Sequence, residues 1–208
     1  MNRLPLLFFG IFITFASAWA GLVAYPYLNL GRMLPITDEA SGDILPPPIS
    51  GLADAGQRVY AANGCVYCHS QQVRPAYLST DIAKGLGGRR TVARDYIRSK
   101  PAFLGTMRTG PDLTNVGLRY AADWQHRHLY EPGVVTKGSI MPSFRYLYRM
   151  QKIQGQPSAN AVQGLQGPHA PPPGFEVVPT QQAVELVAYL LSLKRDYPLP
   201  EAPQEEVP

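Results

Sequence analysis

The chain contains two cysteines, Cys65 and Cys68, and both lie in the pentapeptide C-V-Y-C-H, which ends at His69. In a helical turn, side chains three and four positions apart lie on the same face. A short helical turn here would therefore present two thiols and an imidazole on one side. Whatever the rest of the chain folds into, it has to accommodate the chemistry of these three side chains.

C-x-x-C-H is the attachment signature of c-type haem. Cys65 and Cys68 would each form a thioether with a haem vinyl group, and His69 would bind the iron from the same side. Three other interpretations are a redox-active dithiol, a zinc site, and two structural cysteines that fall at this spacing by chance. No thioredoxin-like strand–helix pattern surrounds the motif, and no second paired motif supplies the further ligands of zinc. The sequence therefore predicts one covalently attached haem c.

The second iron ligand has four candidates: Met107, Met141, His126 and His128. Met141 lies in S-I-M-P-S-F, where Pro142 cannot continue a helix, so the Met is predicted to lie on a constrained loop. That suits a thioether held over a haem, although filling a core is the ordinary role of a Met. We predict His69 and Met141 as the iron ligands. Such a pair raises the haem potential relative to two histidines and leaves no open iron position, so the haem would carry electrons.

A loop with the sequence G-P-D-L over residues 110–113 is the third element of the predicted site. A metal-bound histidine usually donates its second ring N–H to a carbonyl or a carboxylate. We nominate the carbonyl of Pro111 as the partner of His69, and an ordinary turn is the alternative.

Arginine pairs well with carboxylates, so arginines near the motifs are candidates for the haem propionates. The candidates, together with one tryptophan, are Arg74, Arg108, Arg119 and Trp124. For each of them the alternative is a solvated surface side chain.

After Arg3 no charged side chain occurs before Arg32. The apolar part of this stretch has about the 20 residues that a helix needs to cross a bilayer. We predict a transmembrane anchor over residues 4–26. A cleaved signal peptide is the alternative, because A-W-A at 18–20 resembles a small-residue cleavage site.

The chain after the anchor divides by composition. Residues 33–53 contain three consecutive prolines and are predicted to be a semi-rigid linker. A globular, mostly α-helical domain is predicted over residues 54–195, with helices before the cysteine motif and after Thr180. Within it, residues 150–179 contain many Gly, Pro and Gln residues and are predicted to be an inserted surface loop. Residues 196–208 are predicted to be a disordered tail.

The order of these elements resembles a class I cytochrome c domain with long loops on a single N-terminal transmembrane helix. Four segments are similar to the monohaem subunit II of cbb3-type cytochrome c oxidases, the FixO/CcoO family. They are C-H-S-Q-Q-V-R-P (68–75), R-T-G-P-D-L-T-N-V-G-L-R-Y (108–120), D-W-Q-H-R-H-L-Y-E-P (123–132) and S-I-M-P-S-F (139–144). The first is the most specific, since most cytochromes c lack it. Residues 79–107 follow the family pattern only loosely.

The resemblance implies a link in an electron relay. Electrons would arrive from a donor cytochrome c, often through a dihaem cytochrome c subunit. They would leave to the haem–copper catalytic subunit, which reduces oxygen to water, so this chain would be an electron carrier within an oxidase. The resemblance also implies a single-pass protein of the bacterial inner membrane, with its cytochrome domain on the periplasmic side.

Two alternatives remain open for the function. The small cytochrome c subunit of a nitric oxide reductase shares the anchor, one haem and a Met-Pro loop, although C-H-S-Q-Q-V-R-P favours the oxidase. A free-standing membrane-anchored carrier would suit the proline-rich linker. A nucleic-acid binder is not predicted, because the formal net charge of +4 is modest and scattered along the chain.

Overall fold

The computed structural model describes residues 3–204, and it is about 40% helical. The chain forms two compact units. The anchor unit consists of the residues up to Pro46 together with residues 92–100, and the globular unit consists of residues 47–91 and those from Pro101 onward. The prediction of a mostly α-helical chain with long loops agrees with this helical content.

The anchor unit begins with a continuous helix, which is long and apolar enough to cross a membrane and has exposed apolar side chains. It consists of α1 (Leu4–Trp19), a π-helical turn (Ala20–Ala24) and α2 (Tyr25–Leu30). The helix continues beyond Pro26, where the sequence predicted its end. Proline cannot make the usual helical hydrogen bond, and the wider π-helical turn ends two residues before Pro26, where the N–H of Tyr25 bonds to the carbonyl of Ala20.

A small hairpin completes the anchor unit with residues 92–100. Strand β1 (Ile36–Thr37) pairs antiparallel with β2 (Ile44–Leu45). Arg98 Nε donates a hydrogen bond to the carbonyl of Pro46 at 2.8 Å, and Arg94 donates one to the carbonyl of Leu34. The predicted linker is thus partly folded. The sequence did not indicate its two strands, because two-residue strands are too short to produce a recognisable sequence period.

Two long helices cross in the core of the globular unit. Helix α7 (Gln181–Ser192) is capped by Thr180, as the sequence predicted, and α3 (Gly51–Ala62) is capped by Ser50. At Gly56 a Cβ atom would lie 1.9 Å from the backbone oxygen of Glu185, so only glycine permits this close approach. The crossing anchors the core that forms one side of the candidate site.

Three shorter helices lie in the same unit: α4 (Val116–Arg119), α5 (Ala122–Tyr130) and α6 (Pro132–Val135). Helices α4 and α5 both contact α7. Leu129 on α5 is buried, and its carbonyl accepts the N–H of Phe144 at 2.8 Å. This bond ties the S-I-M-P-S-F loop to α5.

The predicted insertion over residues 150–179 is not a simple loop. Its ends form an antiparallel hairpin of β3 (Tyr148–Lys152) and β4 (Phe175–Pro179). Val177 and Val178 are buried, and the N–H of Val162 bonds to the carbonyl of Val177 at 2.8 Å. The prediction missed the hairpin because a long, irregular connection separates the two strands.

The predicted disorder of the tail does not hold for residues 196–204. Leu199 and Ala202 are buried, and Arg89 donates to the carbonyls of Tyr197 at 2.7 Å and Arg195 at 2.9 Å. A buried arginine that binds backbone carbonyls orders a segment whose composition alone suggested disorder. The remaining part of that prediction, residues 205–208, lies outside the described residues.

Candidate haem-binding site

A cavity of about 410 Å³ in the globular unit brings the two cysteines and the two predicted iron ligands together. Six of the eight predicted site residues line it: Cys65, Cys68, His69, Pro111, Trp124 and Met141. Most of the remaining lining is apolar and includes Leu113, Leu186 and Leu190. The cavity is therefore a largely apolar pocket with sulfur and nitrogen ligands on its walls.

The cysteine motif forms the helical turn that its spacing predicts. Gly64 has a φ of +68°, which lets the chain turn sharply after α3. A 3-10 turn over Cys65–Tyr67 follows, and the N–H of His69 bonds to the carbonyl of Cys65 at 3.0 Å. The two cysteines form no disulfide with each other, and burial raises the pKa of the Cys65 thiol to about 11.

The imidazole of His69 is fixed by the predicted carbonyl. Its Nδ1 lies 2.7 Å from the backbone oxygen of Pro111. A carbonyl can only accept a hydrogen bond, so Nδ1 carries the proton and Nε2 keeps a free lone pair. Burial lowers the pKa of His69, outweighing the opposing effects of the Pro111 carbonyl and Asp112. A neutral imidazole is the form that binds a metal.

Gly110 provides the space that the imidazole needs. A Cβ atom at this position would lie 2.3 Å from Cε1 of His69 and 2.8 Å from both ring nitrogens. Any other residue would displace the ring. The G-P-D-L loop therefore supplies both the space and the hydrogen-bond acceptor for His69.

Two of the four candidates for the second ligand line the cavity, Met141 and His128. Met141 is half-buried, and its N–H bonds to Ser139 Oγ at 3.2 Å. Met107 is 62% exposed and lies outside the cavity lining. His126 also lies outside it, with Nδ1 3.1 Å from the hydroxyl of Tyr148. A thioether is thus available at the site from the predicted loop.

His128, which the sequence analysis considered as a second iron ligand but did not choose, is a cavity residue. Its ring stacks on Trp124 at 4.6 Å, and Trp124 stacks on Tyr120 at 3.8 Å. Burial, followed by the influence of His69, lowers the pKa of His128 to about 4, so it is neutral at neutral pH. The signal in the sequence was the spacing of four residues between Trp124 and His128, which places both rings on one face of α5.

Three polar atoms on α4 and α5 are buried and have no hydrogen-bond partner within the described part of the chain: Arg119 Nε, Gln125 Nε2 and His128 Nδ1. All three residues line the cavity. Buried polar atoms almost always have partners, so these atoms fit a bound group that carries hydrogen-bonding oxygens. Among the described lining residues, Arg119 is the one Lys or Arg, and Asp and Glu are absent. That charge fits the carboxylates of a haem.

Arg74 and Arg108 do not line the cavity, in contrast to their predicted contact with propionates. The guanidinium of Arg108 is bound to Asp81, at 2.6 Å for Nη1–Oδ1 and 2.8 Å for Nη2–Oδ2. The N–H of Arg74 bonds to Oδ2 of the same carboxylate at 2.8 Å. A buried carboxylate within the protein, rather than one on the haem, therefore occupies Arg108.

A comparison with known families agrees with this geometry. Residues 5–170 match the family described as cytochrome c oxidase, mono-heme subunit/FixO. The chain belongs to this FixO family. The family resemblance found in the motifs is confirmed, and no curated protein matches the chain.

Membership of the FixO family has three consequences. It supports a single haem, it places the chain in a cytochrome c oxidase complex, which is an oxidoreductase, and it implies a catalytic subunit as partner. The family is membrane-associated, in agreement with the apolar helix at Leu4–Leu30. The residues of the cavity fit a haem c by their donor set of two thiols, a neutral imidazole and a thioether.

Proposed function

We propose that this chain is a membrane-anchored, monohaem c-type cytochrome that passes electrons to the haem–copper catalytic subunit of a cbb3-type oxidase. The observation that carries the proposal is that one cavity is lined by Cys65, Cys68, His69 and Met141. The electron donor is a cytochrome c, and a dihaem cytochrome c subunit is its neighbour in the relay. The catalytic subunit, not this chain, reduces oxygen to water.

When bound, haem c supplies a one-electron couple between ferrous and ferric iron. Cys65 and Cys68 would hold it through thioethers, and His69 would bind the iron through Nε2. Pro111 keeps His69 in the required tautomer, since its carbonyl accepts the Nδ1 proton. Met141 would offer its thioether as the second iron ligand. The chain therefore transfers electrons and does not bind oxygen.

Other residues that line the cavity affect the reduction potential and the binding of the haem propionates. The side chains of Leu113, Leu186 and Leu190 exclude water from the cavity, which favours the reduced and less charged iron. Arg119 and Gln125 direct unpartnered donors at the propionates. Arg119 is itself oriented, because its Nη2 donates to the carbonyl of Asp112 at 2.7 Å.

The proposal includes the fold and the location. The globular unit is a class I cytochrome c-like domain, supported by the two crossing helices α3 and α7 and by the motif order along the chain. The helix at Leu4–Leu30 is retained as a single-pass anchor in the bacterial inner membrane. The globular unit lies on the periplasmic side, where c-type haem is attached.

The test is oxygen uptake by the detergent-extracted complex that co-purifies with the affinity-tagged full chain, with a reduced cytochrome c as donor. Nitric oxide consumption is recorded in parallel. The proposal predicts cyanide-sensitive oxygen uptake that is lost in the C65S/C68S variant. Nitric oxide turnover without oxygen uptake would instead assign the chain to a nitric oxide reductase. If the chain holds haem but shows neither activity and no subunit co-purifies, the function that remains is that of a free-standing electron carrier.

A further inference from the structure

Arg108 joins four points of the chain through one half-buried guanidinium. Besides its two bonds to Asp81, its Nε donates to Ser70 Oγ at 2.6 Å and its Nη2 donates to the carbonyl of Gln72 at 2.6 Å. Nη2 also lies 3.5 Å from Oδ2 of Asp112. The planar fork of an arginine can serve such a set of acceptors, and a lysine ammonium cannot reproduce it.

Asp112 connects this arginine to the G-P-D-L loop. Its side chain has no exposed surface, and its Oδ2 accepts hydrogen bonds from Ser70 Oγ at 2.6 Å and from the N–H of Gln72 at 2.8 Å. Its Oδ1 accepts the N–H of Thr114 at 2.8 Å. A buried carboxylate is costly unless it is paired and hydrogen-bonded. Arg108 supplies the positive charge for Asp112 as well as for Asp81.

The loop that Asp112 fixes carries the acceptor of His69. Pro111 directly precedes Asp112, and its carbonyl is the one that lies 2.7 Å from Nδ1 of His69. Backbone bonds flank this contact, from the N–H of Gly110 to the carbonyl of Cys68 at 2.9 Å and from the N–H of Leu113 to that of Ser70 at 2.8 Å. A shift of the loop would therefore move the Pro111 carbonyl relative to the imidazole.

We propose that Arg108 is a positioning residue that sets the reduction potential of the haem. It ties Asp112 and Ser70 to Asp81 and so holds the Pro111 carbonyl against His69. This inference rests on the proposed function, because it requires His69 to be an iron ligand. A histidine that donates its second N–H is a more basic ligand. A more basic ligand favours ferric iron, so loosening the loop raises the potential.

The test uses Arg108→Lys in the full chain, because this variant keeps the charge and loses the fork. We expect the redox equilibrium of the haem against a one-electron reference to shift about fivefold toward the reduced form, the size of a partly lost hydrogen bond. The Nδ1–H proton of His69, followed by NMR in the reduced state, should exchange with deuterium about tenfold faster.

Arg58→Lys is the matched control, because Arg58 also pairs with an aspartate, Asp54, but the two side chains are 71% and 56% exposed. It should change neither quantity. An Arg108→Lys protein with an unchanged potential would overturn the inference. A shifted potential with an unchanged Nδ1–H exchange rate would overturn it too, because the effect would then not pass through His69.

Ser70→Ala is the second variant, and it tests the inference if the Arg108→Lys protein takes up no haem. It removes the hydroxyl that binds both Arg108 and Asp112, so the same two shifts are expected in the same direction. Failure of the proposed function is visible beforehand, because the unmodified chain would then lack a c-type haem. If the unmodified chain holds haem and both variants match it, this inference alone is wrong.

Discussion

The Nδ1 atom of His69 lies 2.7 Å from the carbonyl oxygen of Pro111, and Gly110 leaves no space for a side chain beside the same ring. One short loop therefore fixes the position and the tautomer of the imidazole. The two contacts make the loop sensitive to single substitutions, and each can be disturbed without changing a proposed ligand.

Gly110→Ala should prevent normal ligation by His69. The new methyl group would lie 2.3 Å from Cε1 of the ring, so the imidazole has to move. We expect most of the low-spin haem signal in absorption and electron paramagnetic resonance spectra to be lost. Gly133→Ala is the control, because its nearest neighbouring atom would lie at an ordinary contact distance of 3.7 Å. A wild-type spectrum for Gly110→Ala would contradict the placement of His69.

Met141→Ala should open an iron position. Without the thioether, the reduced haem should bind carbon monoxide, which the unmodified protein should not do. Met107→Ala is the control, because Met107 is exposed and outside the cavity. The measurement is the absorption spectrum of the reduced protein before and after addition of carbon monoxide.

Met141→Ala also tests His128 as a substitute ligand. His128 lines the same cavity, so a bis-histidine spectrum that appears in this variant, without carbon monoxide binding, would show that His128 can reach the iron. An unchanged spectrum and unchanged potential in Met141→Ala would remove Met141 as the ligand altogether.

Arg119→Gln should lower the haem potential. Arg119 is the one Lys or Arg among the described residues that line the cavity. Loss of its positive charge favours ferric iron. We expect a shift of about tenfold in the redox equilibrium, which corresponds to about 59 mV for one electron. The control is Arg149→Gln, on the exposed side of β3. Equal potentials for both variants would exclude Arg119 from the propionate contact.

Acid should destabilise the globular unit through Asp81. Burial acts to raise the pKa of Asp81, but hydrogen bonds from Arg108 and from the N–H of Arg74 lower it to about 2. This value lies below the pKa of about 3.9 in an unfolded chain. The group therefore stabilises the fold above about pH 4, and this contribution, about 2 kcal/mol, is lost as the pH falls toward 2.

The measurement is the free energy of unfolding by urea at a series of pH values below 5. Asp81→Asn should remove about 2 kcal/mol at pH 7 and flatten the acid dependence. Asp54→Asn, in an exposed ion pair, should leave the dependence unchanged. A steep acid dependence that persists in Asp81→Asn would assign the effect to other carboxylates.

The sequence predicted the parts of the site that depend on local spacing. The helical turn at Cys65–Tyr67 follows from the C-x-x-C-H spacing, and the loop position of Met141 follows from Pro142. The cap of α7 was also predicted, since Thr180 acts on the N–H of Ala183, three residues away.

The parts that the sequence did not predict depend on contacts between distant positions. Arg108 was expected to bind propionates, but its partner Asp81 lies 27 positions earlier in the chain. The β3–β4 hairpin and the order of the tail likewise depend on long-range contacts, the latter on Arg89. A local sequence pattern indicates which chemical groups a side chain can bind, whereas the tertiary fold determines which of these groups lies close to it.

The most direct test of the central claim is mass spectrometry of the tryptic peptide over residues 59–84, prepared from the denatured full chain. Pro75 blocks cleavage after Arg74, so this peptide contains both cysteines and His69. We predict a mass that corresponds to this peptide plus one haem, with no free thiol. An unmodified peptide with two free thiols, and a haem that dissociates on denaturation, would contradict covalent attachment at Cys65 and Cys68.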